Sequence, residues 1–181
     1  IAVVDPRFSK LASKAETWLP IEPGEDAALA MAIIRWMIAE GRYDAKFLRG
    51  ANKAAAKANG ETSWSNATWL VELKDGKPGK FVRAADLGLA RLEKRSIPDP
   101  KDKEKSIEYE EKFFLVMKDG KPVAFEPNDE TTVVEGDLFV DAEIAPVGGA
   151  DPVTVKSSLQ ILKESAEEKS FEEWCEVAGL K

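Results

Sequence analysis

Four apolar residues, Ile1-Ala2-Val3-Val4, run directly into Asp5-Pro6-Arg7. A continuous apolar run with no polar alternation predicts a strand covered on both faces, as in a parallel sheet. Pro6 biases Asp5 toward extended backbone and ends the strand there. Residues 8–16 follow as a short helical stretch with Phe8, Leu11, Ala12 and Ala15 on one face. Thr17 to Ile21 reads as the next strand, and Glu22 to Asp26 as a turn feeding a helix over about Ala27 to Glu40. That helix is apolar almost all round, which predicts burial on several sides, and Gly41 suits its C-terminal stop.

Strand, helix, strand, helix is the order of α/β nucleotide-binding folds. The expected class is therefore α/β. It is a partial Rossmann-like three-layer domain with inserted antiparallel β-hairpins and two C-terminal helices. Residues 1–50 form the second half of the Rossmann-like unit, 51–150 the inserted helix and hairpin region, and 151–181 a helical pair returning to the sheet. Residues 43–50 read as a short helix; within the insertion, 51–59 read as another, stopped by Gly60, and 63–68 as an ordered loop. Trp69 to Leu73 and Lys80 to Ala84 flank a turn over 74–79. Lys112 to Met117 and Pro122 to Phe125 form a second hairpin. Asp75-Gly76 and Asp119-Gly120 suit tight hairpin turns. The charged, proline-bearing stretch 91–111 reads as an exposed connection. Strands are expected at 131–134 and 138–144, and helices at 155–168 and 171–178. The latter carries a capping box from Ser170 to Glu173.

Composition narrows the chemistry. The 181 residues contain no histidine and one cysteine, Cys175. An intrachain disulfide, a Cys/His zinc site and a Ser-His or Cys-His nucleophile pair are all excluded. A net charge of −7 argues against a nucleic-acid partner. No run approaches the roughly 20 apolar residues of a membrane span, so the segment itself is expected to be soluble. A chain that opens inside a strand predicts a piece of a longer polypeptide, with a processed terminus as the competing reading.

Two acids stand where ligands bind in open α/β sheets, beyond the C-terminal ends of the strands. Asp5 could accept hydrogen bonds from ribose hydroxyls, and Arg7 suits a phosphate or a base edge. Asp5 could equally cap the helical stretch that follows. Pro23-Gly24-Glu25-Asp26 occupies the corresponding place one unit along. Gly24 permits close backbone approach, the first helical amides could face a ligand, and Asp26 could accept from a guanine. An N-cap role is the alternative. Cys175 reads as a core thiol. No residue is assigned a catalytic or metal-ligating role.

The segment VVDPRFSKLASKAETWLPIEPGEDAALAMAIIRWMIAEGRYDAKFL resembles the third domain of the molybdopterin oxidoreductases, the dimethyl sulfoxide reductase family. Hydrophobic residues run into Asp5-Pro6-Arg7, Ala15-Glu16 and Trp18-Leu19-Pro20 follow, and Pro23 to Asp26 opens the apolar helix that precedes Tyr43 to Leu48. Three later stretches are similar to tetrathionate reductase catalytic subunits, with the arsenate branch nearby. These are ANKAAAKANGETSWSNATWLV, the hairpin ending in Phe81-Val82-Arg83-Ala84-Ala85-Asp86-Leu87-Gly88, and the closing VKSSLQILKESAEEKSFEEWCEVAGL. Glu25 departs from the small hydroxyl residue common in the family, and Glu16 from aspartate. The resemblance implies that Asp5, Pro6, Arg7, Phe8, Ser9, Gly24, Glu25 and Asp26 line the guanosine end of a molybdopterin guanine dinucleotide. It implies a parent oxidoreductase whose molybdenum ligand and 4Fe-4S cluster lie in other domains, so that this segment alone is inactive. Iron–sulfur electron-transfer and membrane anchor subunits are implied with it, in an extracytoplasmic, membrane-associated complex of anaerobic respiration. Tetrathionate is the implied substrate, with arsenate, thiosulfate and polysulfide as alternatives. A stand-alone nucleotide-binding module or an interaction module is the contrasting reading.

Overall fold

The computed structural model describes residues 1–90, 93–102 and 104–180. In chain order its elements are β1 (Ala2–Val4), β2 (Thr17–Leu19), α1 (Asp26–Ala39), α2 (Ala45–Arg49), α3 (Lys53–Asn59), β3 (Leu70–Lys74), β4 (Lys77–Phe81), β5 (Glu93–Pro98), β6 (Ser106–Glu111), β7 (Phe114–Lys118), β8 (Lys121–Phe125), β9 (Asp141–Ile144), β10 (Val153–Ser157), α4 (Ser158–Glu167) and α5 (Phe171–Val177). The class is mixed α/β, with several small sheets. Two compact units divide the chain, one of Ile1–Tyr43 with Leu162–Lys181, the other of Asp44–Ile161.

In the first unit β1 and β2 pair in parallel, Ala2 with Thr17 and Val4 with Leu19. Only Val3 of β1 is buried, whereas Ile1 and Val4 are exposed, so the expected cover on both faces is lacking here. The helical stretch expected over 8–16 contracts to one 3₁₀ turn, Ala12–Lys14. Its apolar face has little to pack on: Phe8 and Leu11 are each 63% exposed. A segment this short cannot hold a helix without such packing. Helix α1 buries Ala28 and Ala32. Ala28 joins a small core with Ile21 and Ala178, flanked by Leu29, Trp174 and Leu180. Burial is one-sided rather than all round, since Ile33 and Trp36 stay 46% and 45% exposed. Helix α5 begins with the expected capping box. Ser170 Oγ accepts the Glu173 amide at 3.1 Å, and the Glu173 carboxylate accepts the Ser170 amide at 2.7 Å. That backbone hydrogen bond holds the Glu173 carboxyl below its usual range.

The second unit centres on a four-stranded antiparallel sheet of order β4-β3-β10-β9. Its inner strand β10 occupies residues expected to begin a helix. Val153-Thr154-Val155-Lys156-Ser157 is rich in β-branched residues and alternates, with Val155 and Ser157 fully buried. The helix starts only at Ser158. Both hairpin turns form on Asp-Gly with positive φ, +51° and +73° at Asp75-Gly76 and +52° and +73° at Asp119-Gly120. The first turn is tighter than the six residues expected, because Lys77, Pro78 and Gly79 belong to β4. Pro78 is tolerated there because β4 is an edge strand.

Residues 93–111 are not an irregular connection. β5 and β6 form an antiparallel ribbon, with Ile97 opposite Ile107. Arg91, Leu92 and Lys103 of the expected connection lie outside the described residues. Residues 131–134 are not a strand, because side chains take over their backbone partners. Asp129 Oδ1 accepts the Thr131 amide at 2.8 Å and the Thr131 hydroxyl at 2.6 Å. Asn52 takes the Thr132 carbonyl and the Val134 amide. The strand expected over 138–144 shortens to β9, since Ser157 Oγ donates to the Leu138 carbonyl and accepts the Val140 amide. The core gathers Leu70, Leu115 and Val155, all fully buried, with Leu87 and Val140. Beside it Trp69 stacks on Phe114 at 4.9 Å and meets Phe81 and Phe125 edge-on.

The Asp129 turn has a pH signature. Its hydrogen bonds from Thr131 depress the carboxyl from 3.8 to about 2. A depressed acid contributes stability that is complete above the unfolded value and disappears as pH falls through the folded one. The second unit is expected to lose this contribution between about pH 4 and pH 2, and Asp129→Ala is expected to flatten that limb. Chemical denaturation across the range checks it, and an unchanged limb in the variant would contradict the assignment.

Candidate functional site

Asp5 sits one residue beyond β1, and its amide donates to the Leu19 carbonyl at the end of β2, 3.2 Å away. The Trp18 indole N–H donates to the Asp5 carbonyl at 2.8 Å. Phe8 packs edge-on against the same indole, ring centres 5.0 Å apart. Backbone and aromatic contacts thus fix where the turn points. Asp5 Oδ1 accepts the Arg7 amide at 2.9 Å, closing a local turn. The hydroxyl that meets the 3₁₀ turn is that of Ser9, which accepts the Ala12 amide at 3.2 Å. Pro6, Arg7 and Phe8 are exposed.

The second segment leaves the end of β2, which pairs in register with β1, so both segments emerge from one edge of the parallel pair. The Glu22 amide is anchored on the Ala178 carbonyl at 3.0 Å, and the Glu25 amide returns to the Glu22 carbonyl at 3.1 Å. Gly24 adopts φ +94° with open space where a side chain would stand. Glu25 occupies the N-cap position without a side-chain cap, and Asp26 is the first residue of α1. The Asp26 side chain is exposed and makes no hydrogen bond among the described residues.

This edge therefore presents two carboxylates, a guanidinium, an exposed aromatic ring and the positive end of a 14-residue helix. The set can accept hydrogen bonds from hydroxyl and amino groups and attract an anion. It contains no nucleophile paired with a base. Among the described residues no group of three or more His, Cys, Asp or Glu side chains is placed to hold a metal ion.

Two residues that organise the molecule escape the sequence reading. Trp18 clamps the Asp5 turn, and its only sequence signal is an aromatic residue one place before the strand ends. Asn52 is a fully buried hub in the second unit. The 63–68 loop packs as expected, with the Ser65 amide on the Gly50 carbonyl at 2.9 Å.

No protein-family model matches the chain. A selenate reductase subunit of Mesobacillus selenatarsenatis is 42% identical over all of this chain, which spans 15% of that relative. A tetrathionate reductase subunit of Archaeoglobus fulgidus is 36% identical over 90% of the chain, or 12% of its own length. Its counterpart from Salmonella typhimurium is 35% identical over 99% of the chain, or 16% of its length. The chain belongs to the molybdopterin oxidoreductase family. The matched relatives are catalytic subunits of that family, and the chain spans 12–16% of their length. No helix among the described residues is long and apolar enough to cross a membrane.

Proposed function

We propose that this segment holds the guanosine end of a molybdopterin guanine dinucleotide in the catalytic subunit of an oxyanion reductase. The observation that carries the reading is the pair of acids, Asp5 and Asp26, at one edge of the parallel strands. Asp26 presents an exposed carboxylate, without a hydrogen-bond partner among the described residues, suited to the amino and ring N–H groups of guanine. Asp5 keeps a second oxygen for ribose hydroxyls while its first fixes the turn. Arg7 supplies charge for a phosphate or base edge. Gly24 leaves the backbone open to close approach, Glu25 holds the N-cap position at the same helix end, and Pro6, Phe8 and Ser9 shape the wall. The donor set fits the group. When bound, the cofactor's metal supplies two-electron redox chemistry, and this chain's residues orient its nucleotide end.

In this reading β1 and β2 belong to a larger Rossmann-like sheet of the parent. Residues 1–50 bind, 51–150 form an insertion, and of the C-terminal stretch 151–181 the part from Leu162 on returns to the first unit. The 4Fe-4S cluster is held elsewhere in the parent. Iron–sulfur and membrane anchor subunits then complete an extracytoplasmic complex. Tetrathionate, reduced by two electrons to two thiosulfates, is the substrate favoured by the sequence reading. Selenate stands beside it because a selenate reductase subunit matches the whole chain. Arsenate, thiosulfate and polysulfide belong to the same class.

Asp5→Ala and Asp26→Ala in the full-length protein test the reading. Losing a charge-assisted hydrogen bond of about 1.5–3 kcal/mol is a loss of about tenfold or more in cofactor affinity. The expected result is a matching fall in molybdenum and releasable guanine nucleotide per folded subunit. For exposed Asp26 the melting temperature should stay nearly unchanged. Full loading of both variants would contradict the assignment, whereas tight binding of free guanine nucleotide by the 181-residue chain would favour a stand-alone nucleotide-binding module.

A further inference from the structure

Away from the acid edge, the first unit carries a cleft of about 550 Å³ lined by Leu19, Leu29, Ile33, Phe171, Cys175 and Leu180. Its floor is hydrocarbon with one thiol. The titratable carboxylates on its wall are Glu172 and Glu176, one turn apart on the exposed side of α5. Ile33 and Phe171 are 46% and 42% exposed, far more than residues of such size in a finished core. An apolar floor whose two charged lining residues are both glutamates selects its occupant by charge as well as by shape.

We infer that this cleft is the seat of a further segment of the parent polypeptide, one presenting apolar side chains flanked by lysine or arginine. Charge complementarity favours basic flanks, because a neutral or acidic segment would leave Glu172 and Glu176 unpaired at a desolvated margin. A segment of the same polypeptide is favoured because the relatives extend far beyond the 12–16% of their length matched here. The inference rests on the proposed role of the chain within a longer protein. It concerns a different face of the unit, with a different readout.

Cys175 is half-buried within the cleft and is a built-in reporter. Its alkylation, followed by peptide mapping, is to be compared in the isolated chain and in the native full-length protein. Protection of at least about tenfold is expected in the full-length form. A linker joining Cys175 to nearby amines should capture a peptide outside residues 1–181 that carries lysine beside apolar residues. Glu172→Lys with Glu176→Lys, both exposed, should reduce that capture severalfold while helical content is retained. Equal alkylation rates in both forms would overturn the inference. So would capture of a second copy of this chain, capture of an acidic segment, or protection by a small apolar molecule that extraction removes. Cofactor loading is unaffected by any of these outcomes, so failure here is distinct from failure of the nucleotide reading.

Discussion

Asn52→Ala is expected to destabilise the second unit by about 2–4 kcal/mol, a large share of the usual stability of a domain. Asn52 is fully buried. Its Oδ1 accepts the Ala55 amide at 3.0 Å as the N-cap of α3 and the Val134 amide at 3.3 Å. Its Nδ2 donates to the Thr132 carbonyl at 2.7 Å. Loss of a cap costs about 1 kcal/mol. The buried Val134 amide, left without a partner, costs about 1–3 kcal/mol more. The Thr132 carbonyl lies on an exposed residue and recovers water, so it adds little. Asn52→Asp keeps both acceptor bonds but sets a buried carboxylate oxygen against the Thr132 carbonyl, and should cost at least as much as alanine. Urea unfolding followed by tryptophan fluorescence measures the difference. A loss below about 0.5 kcal/mol for alanine would show that residues 131–134 are not held in this way.

Gly136→Ala is expected to be worse than most surface or loop substitutions, at about 3 kcal/mol or more. A Cβ there would stand 2.7 Å from Thr68 Cβ and 2.9 Å from Val116 Cβ. Both neighbours are fully buried. The backbone cannot move aside easily, because the Gly136 amide donates to the Arg49 carbonyl at 3.0 Å and the Asp137 amide to the Met117 carbonyl at 2.7 Å. Gly24 makes the useful contrast. Its space is open, but its φ of +94° penalises any side chain, so Gly24→Ala should cost only about 1–2 kcal/mol. Thermal melts of the two variants separate a steric from a conformational requirement. Similar shifts would contradict the packing argument.

The sequence was most legible where a local rule acts alone. Asp75-Gly76 and Asp119-Gly120 dictate their turns by φ, Ser170 and Glu173 pair within one helical turn, and Pro6 ends β1. It was least legible where a distant partner decides. Val153 to Ser157 become a strand because β3 and β9 lie on either side. Residues 131–134 lose strand character because Asn52, some eighty positions away, takes their backbone groups. The ribbon β5-β6 was hidden by its charges: alternation around Ile97, Ile107 and Tyr109 signals a strand, but Pro98, Pro100 and dense Lys and Glu obscure it. At the candidate site, sequence position put the two acids beyond the strand ends, where the structure has them. The Trp18 clamp and the missing side-chain cap at Glu25 are three-dimensional facts.

Amide hydrogen exchange of the full-length protein, compared with and without its cofactor, tests the central claim most directly. On loading, peptides covering residues 5–9 and 24–28 are predicted to slow by at least about tenfold, while the β7-β8 hairpin stays unchanged. Unaltered exchange in both segments of the fully loaded protein would contradict the claim that this edge holds the nucleotide.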